Sequence, residues 1–135
     1  MAYSPLKEGV TLEIKGPSFS YTSALHGVRP LLELLEKGIN VKGMALKDRV
    51  TGKAAALLYV KLGVGSIETD LISEQALLLL QKEKIPVTYQ RKIPYILNHA
   101  RTDLCPLEKA TLPIDSVDDG VVAIKKAIRA MQAKS

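Results

Sequence analysis

The segment 52–62, GKAAALLYVKL, constrains the fold more than any other part of the chain. It has the length of a helix and is followed by Gly63, but it has almost no polar side. A helix that is apolar all round cannot lie on a protein surface, so it must be covered by a sheet or by a partner. The sequence therefore predicts a buried helix at this point.

Alternating apolar and polar residues predict strands on both sides of that helix. VTLEIKG and FSYTSA, separated by the turn residues Gly16 and Pro17, predict a β-hairpin near the start of the chain. Three later strands are predicted in VKGMALK, VGSIETDLI and PVTYQRKI, and helices in GVRPLLELLEKG, SEQALLLLQKEK and the last twenty residues. The irregular stretch 94–113 is predicted to be a functional loop with one helical turn.

The order of these elements is β-β-α-β-α-β-α-β-loop-α. Strands that alternate with helices after an initial hairpin favour the α/β class, with a three-layer α/β/α sandwich around a mixed sheet of about five strands. The chain has 135 residues, which is the size of one domain, so residues 1–135 are predicted to form a single unit.

Composition excludes several classes of function. The net charge is +5, but no Lys/Arg block with interleaved aromatic residues is present, so nucleic-acid binding is not expected. One cysteine and two separated histidines do not supply a zinc site, and no cofactor or metal is predicted. No segment resembles a signal peptide or reaches the roughly 20 apolar residues of a membrane span. A cytoplasmic protein without membrane contact is expected.

Polar residues follow two of the predicted parallel strands. GMALK leads into the junction 48–53, and ETDLI leads into the junction 73–74. Ligands of parallel sheets bind at the carboxyl ends of the strands, and helix N-termini favour anionic groups. If the two strands are neighbours, one crevice receives both helix starts. The predicted ligand-binding residues are Thr51, Gly52, Lys53, Ser73 and Glu74.

The Gly52-Lys53 pair does not form a phosphate loop of the NTPase kind. That motif needs a glycine five residues earlier, where this chain has Lys47, and a hydroxyl residue after the lysine, where it has Ala54. Lys53 is then a solvated lysine, a residue that holds an anionic group, or an amine activated by burial at the helix start.

Two carboxylates and a serine at these junctions allow more than one interpretation. Asp48 and Glu74 are candidates for general acid/base catalysis, or charges that interact with a helix dipole. Ser73 is a favoured helix N-cap as well as a potential ligand contact.

Cys105 is the remaining candidate for chemistry. It precedes Pro106 at the start of a predicted helical turn, and a cysteine at a helix N-terminus can act as a nucleophile. The alternative is an inert, buried thiol. His26 is interpreted as a loop residue, and His99 as a residue near the site.

Four segments resemble a known family. GVRPLLELLEKG, KDRVTGKAAALLYV, ISEQALLLLQKEKIPVTY and IPYILNHARTDLCPLEK together resemble the uncharacterised family DUF1893, from about Leu12 to the last helix. The resemblance implies a cytidine-deaminase-like fold and brings no established activity. Zinc deaminases carry [HC]-x-E at the start of one helix and P-C-x-x-C at the start of the next. The corresponding positions here, 48–53 and 72–74, have neither motif.

Three hypotheses follow. In the first, a deaminase-like domain without zinc binds a small anionic or nucleotide-like ligand and carries out a reaction with Cys105, Lys53 and Asp48. In the second, the domain is a non-catalytic binding or regulatory module. In the third, it is a structural homodimer formed through the apolar helix or the last helix. Whether the chain is an enzyme stays open on the sequence alone.

Overall fold

A computed structural model describes residues 6–25, 27–98 and 100–133, and in it five helices and five strands alternate as the sequence predicts. The elements are β1 Leu12–Gly16, β2 Phe19–Ser23, α1 Arg29–Glu36, β3 Ala45–Thr51, α2 Lys53–Leu62, β4 Ser66–Ser73, α3 Glu74–Lys82, β5 Val87–Ile93, α4 Pro106–Thr111 and α5 Val117–Ala133.

The strands form one mixed sheet in the order β2-β1-β3-β4-β5. β1 runs antiparallel to both of its neighbours, whereas β3, β4 and β5 are parallel to one another. Asp48 on β3 therefore lies beside Leu12 on one neighbouring strand and Thr69 on the other. The mixed five-stranded sheet and the initial hairpin confirm the α/β prediction.

Helix α2 is the centre of the packing. It contacts α1, α3, α4 and α5, and nearly all of its residues are buried. A methyl group at Gly120 of α5 would lie 2.7 Å from Leu57 Cδ1, which shows how closely these two helices approach each other. The apolar character of segment 52–62 thus has its physical reason: helices surround α2 on the sides that the sheet leaves open.

The layers differ from the predicted α/β/α sandwich. The connections through α1, α2 and α3 all advance in the same direction across the sheet, and right-handed crossovers then place these helices on one face. The other face carries ion pairs such as Lys47–Glu68 at 3.9 Å and Arg49–Asp70 at 3.2 Å. The order of layers is therefore sheet, then α1 to α3, then α5.

Candidate ligand-binding site

A cavity of about 280 Å³ lies where β3 ends and α2 begins. Its walls come from the start of β1, the loop before α1, the end of β3, the first turn of α2 and the segment 96–108. Most of the lining is apolar, with Leu12, Val28 and Leu107 among its side chains. Small-molecule sites have this character: a largely apolar concavity with a few polar groups.

Asp48 is one of those polar groups. It lines the cavity and hydrogen-bonds to the hydroxyl of Tyr59, a side chain of α2 with no exposed surface. The Tyr59 hydroxyl lies 3.0 Å from Thr51 Oγ1, and Thr51 lies 3.0 Å from the hydroxyl of Thr69. Thr69 in turn donates to the backbone oxygen of Leu71 at 3.1 Å. A chain of hydrogen bonds thus leads from the cavity into the sheet.

The hydrogens of this chain can be counted. Four contacts join five groups, but Tyr59, Thr51 and Thr69 bring only three hydroxyl hydrogens, and a carbonyl brings none. An ionised Asp48 leaves one contact without a hydrogen, whichever way the hydroxyl groups turn. A protonated Asp48 supplies the fourth hydrogen. The geometry therefore favours the neutral carboxyl group.

The pKa of Asp48 also favours the neutral carboxyl group. Burial raises the pKa of Asp48 from 3.8 to about 7, although hydrogen bonds from Tyr59 and from the backbone of Val50 and Arg49 oppose the rise. Burial, together with the nearby charge of Asp48, raises the pKa of Tyr59 well above its usual value of 10.0. Near neutral pH, Asp48 can therefore exchange a proton while Tyr59 stays protonated.

Glu108 is a functional position that the sequence analysis missed. Its side chain is 2% exposed, and its Oε1 accepts a hydrogen bond of 2.9 Å from the backbone N–H of Lys53, the first residue of α2. Its other oxygen accepts from the backbone N–H of Ile96. The carboxylate of Glu108 thus occupies the helix N-terminus at which the sequence predicts an anionic ligand.

Gly52 lies in close contact with this arrangement. It is the N-cap of α2 and has no side chain with which to cap the helix, and Glu108 caps the helix from outside instead. A methyl group at Gly52 would lie 3.0 Å from Ile96 Cγ1 and 3.3 Å from Glu108 Oε1. An alanine at this position would therefore force the side chain of Ile96 or Glu108 to shift by a few tenths of an ångström. The sequence carries one signal for this contact: Glu108 is an acid near the start of a short predicted helix.

Lys53 points away from the cavity. Its Nζ donates to the backbone oxygen of Leu112 at 2.7 Å, and its side chain is buried. Burial lowers the pKa of Lys53, while the charges of Asp115 and Glu108 oppose the decrease. The structure therefore does not bring Lys53 together with Asp48 and Cys105.

The other predicted binding residues are also placed outside the cavity wall. Ser73 is buried and caps α3, with its Oγ accepting from the N–H of Ala76 at 3.2 Å. Glu74 is exposed at the start of the same helix. Thr51 is buried in the hydrogen-bond chain. Of the predicted ligand-binding set, Gly52 alone lines the cavity.

Cys105 does line the cavity, together with Asp48. It is the N-cap of α4 and is partly exposed, and its backbone N–H donates to the oxygen of Ile96 at 2.9 Å. Among residues 6–25, 27–98 and 100–133, no group of three His, Cys, Asp or Glu side chains is placed to hold a metal ion. The predictions for His26 and His99 lie outside the described residues.

None of the helices in the described part of the chain is long and apolar enough to cross a membrane.

The fold and the cavity define an α/β domain with a small-molecule-sized pocket at the strand ends. The chain belongs to the TM1506 family, a domain of unknown function (DUF1893), whose model matches residues 6–128. Its structure is similar to the crystal structure of a DUF1893 family protein (TM1506) from Thermotoga maritima. The two are 28% identical with a TM-score of 0.78, over 90% of this chain and 80% of the other. No curated protein matches the sequence.

Proposed function

We propose that this protein binds a small, nucleotide-like ligand in the cavity beside β3, with Asp48 as the residue that exchanges a hydrogen with it. One observation carries the proposal. Asp48 lies in a largely apolar wall, at the end of a buried chain of hydroxyl groups. Each carboxyl oxygen has two lone pairs, so Asp48 can bond to a ligand in addition to its partners in the protein.

The shape of the site supports a small organic ligand. About 280 Å³ is close to the lower end of the range for small-molecule pockets, and the apolar walls suit a planar ring. The ring nitrogens and carbonyl groups of a nucleobase both donate and accept hydrogen bonds. A carboxyl group that changes protonation near pH 7 can pair with either kind of atom.

A catalytic version of this proposal rests on Cys105, which lines the same cavity. In it, the Cys105 thiol transfers its proton to the Asp48 carboxylate, and the thiolate attacks an electrophilic ring carbon of the ligand. Asp48 then returns the proton to the ring atom that received the electron pair. A group with a pKa near the working pH is suited to both transfers. In the non-catalytic version, Asp48 positions the ligand and Cys105 stays a thiol.

The relation to zinc deaminases is part of the proposal. It is supported by the position of the cavity at the first of the two strand–helix junctions where deaminases carry their motifs. Here that junction is closed by Glu108 and Gly52, and Asp48 is the group that faces the cavity. A cytidine-deaminase-like fold, a cytoplasmic location and homodimer formation likewise remain proposals.

The proposal is tested by NMR titration of the isotope-labelled full chain with uracil, cytosine, adenine and their nucleosides. We expect saturable shifts of the amides of Val28, Gly52 and Ala55, which line the cavity. Asp48→Asn should weaken binding at least about tenfold, the effect of losing a hydrogen bond of about 1.4 kcal/mol, because the amide cannot change its protonation to match the ligand atom. Glu74→Gln, which removes an exposed carboxylate, is the control. Absence of shifts, or equal binding by both variants, would refute the proposal.

Cys105 decides between the two versions. The catalytic version predicts that iodoacetamide modifies Cys105 faster than a free thiol at pH 7, and that a bound nucleoside slows this modification. The non-catalytic version predicts the modification rate of an ordinary free thiol and no protection by a bound nucleoside.

A further inference from the structure

A second, more open cavity of about 510 Å³ adjoins the first at the carboxyl ends of β4 and β5. The two cavities share Val50, Ile96 and Leu97 in their walls. Leu97 and Val50 are about half exposed, so the shared wall reaches the protein surface. The two cavities are thus neighbouring parts of one groove along the edge of the sheet.

The second cavity is positively charged. Arg91, from β5, and Arg101, from the loop that follows, both line it, with Asn98 and Tyr95 beside them. The described residues that line it include no Asp or Glu. The first cavity differs in this respect, since Asp48 and Glu108 are both in its walls.

Neither arginine is neutralised within the described part of the chain. No carboxylate among residues 6–25, 27–98 and 100–133 forms an ion pair with Arg91 or Arg101. Asp103, the acid of the same loop, pairs instead with Lys109. Loop hydrogen bonds hold Arg101 in place: its backbone N–H donates to the oxygen of Asn98 at 3.1 Å, and Asn98 N–H donates to the oxygen of Asp103 at 3.0 Å.

We infer that Arg91 and Arg101 form a phosphate-binding site, and that the ligand of the first cavity is a phosphate monoester whose phosphate lies between them. Guanidinium groups present several fixed N–H donors and pair with phosphate oxygens in a bidentate manner. The Asn98 amide and the Tyr95 hydroxyl can provide further donors at the rim. The inference rests on the proposed function, since it takes the organic part of the ligand to lie beside Asp48.

The position of this site also keeps a bound phosphate away from the carboxylate of Glu108. A phosphate next to α2 would meet the carboxylate of Glu108, which already accepts the N–H of Lys53 there. A phosphate next to Arg91 and Arg101 meets two cations and no acid of the lining. The anionic part of the ligand is thus expected at the ends of β4 and β5, away from the helix start at Lys53 that follows β3.

The test compares uridine with uridine 5′-monophosphate, and adenosine with its 5′-monophosphate, by NMR titration of the full chain at pH 7.5. We expect each monophosphate to bind at least about tenfold more tightly than its nucleoside, as an arginine–phosphate pair provides. The double variant Arg91→Gln/Arg101→Gln should lose this advantage and keep the nucleoside affinity. The double variant Lys126→Gln/Arg129→Gln, which removes two positive charges at exposed positions on α5, should keep it.

Inorganic phosphate provides a second measurement. In the wild type it should shift the amide signals of Tyr95, Asn98 and Arg101, and in the double variant it should not. Equal affinities for nucleoside and monophosphate, or an advantage that survives the double variant, would overturn the inference. If the nucleosides still bind beside Asp48 in that case, the proposed function stands without the phosphate site. If the wild type binds no nucleoside but inorganic phosphate still shifts its amide signals, the proposed function is refuted and the arginine site is supported.

Discussion

Replacement of Asp48 by asparagine should make the protein more stable at alkaline pH. The folded state raises the pKa of Asp48 from 3.8 to about 7, because burial disfavours its charge. Between these two pH values the folded chain holds a proton that the unfolded chain releases. Stability is therefore fully present below pH 3.8 and is lost as the pH rises toward 7. Asparagine keeps the shape and has no proton to lose.

The size of this effect follows from the same pKa. Each pKa unit corresponds to about 1.4 kcal/mol, so the rise from 3.8 to about 7 corresponds to at most roughly 4 kcal/mol. The free energy of unfolding of Asp48→Asn, relative to the wild type, should therefore increase by a few kcal/mol between pH 4 and pH 8. The NH₂ group of the asparagine can donate to the Tyr59 hydroxyl, so the hydrogen-bond chain keeps four hydrogens for its four contacts.

Urea denaturation followed by circular dichroism, at intervals of half a pH unit from 4 to 8.5, measures this difference. Glu74→Gln, which removes an exposed carboxylate at a helix start, is the matched control and should follow the wild type across the range. A difference between Asp48→Asn and wild type that does not change with pH would show that Asp48 is ionised throughout. That result would refute the reasoning about the buried carboxyl group.

Three further predictions concern the same region. Glu108→Gln places an amide NH₂ against one of two backbone N–H donors. It should therefore lower the free energy of unfolding by about 1–3 kcal/mol, measured by urea denaturation. The control Glu74→Gln should change this free energy by less than about 0.5 kcal/mol. Gly52→Ala should cost about 1–3 kcal/mol in the same assay, since its methyl group meets Ile96 at 3.0 Å; an unchanged midpoint would contradict the capping account. Tyr59→Phe removes the hydroxyl that joins Asp48 to Thr51, so it should lower the free energy of unfolding by about 1–3 kcal/mol in the same assay; an unchanged midpoint would contradict the hydrogen-bond chain.

Local patterns were sufficient to predict most of the elements. The apolar run after Lys53 predicts α2, and the alternation of Ile67 and Thr69 with Glu68 predicts β4; the structure has both. These predictions succeed because period and polarity are properties of neighbouring residues. The layer order was not predicted correctly, since an apolar helix needs cover on all sides but its pattern does not say whether sheet or helix provides it.

In the candidate site, too, local sequence patterns predict some features and not others. The sequence predicts a crevice at the end of β3, because side chains at a strand terminus meet at one edge of a sheet, and the structure has a cavity at that point. The partners of those side chains are remote in the sequence. Glu108 reaches Lys53 across 55 residues, and no local pattern indicates that its carboxylate fills the start of α2. For the same reason, the interaction of Lys53 with Leu112 was not expected.

The most direct test of the account is the titration of Asp48 itself. The central claim is that a carboxyl group in the cavity wall changes its protonation near neutral pH. The side-chain carboxyl ¹³C signal of Asp48, assigned by its absence from Asp48→Asn and followed from pH 3 to 9, reports this directly. The account predicts a midpoint near pH 7, with the signal constant below pH 5. A midpoint close to 3.8, the value of an exposed aspartate, would contradict it.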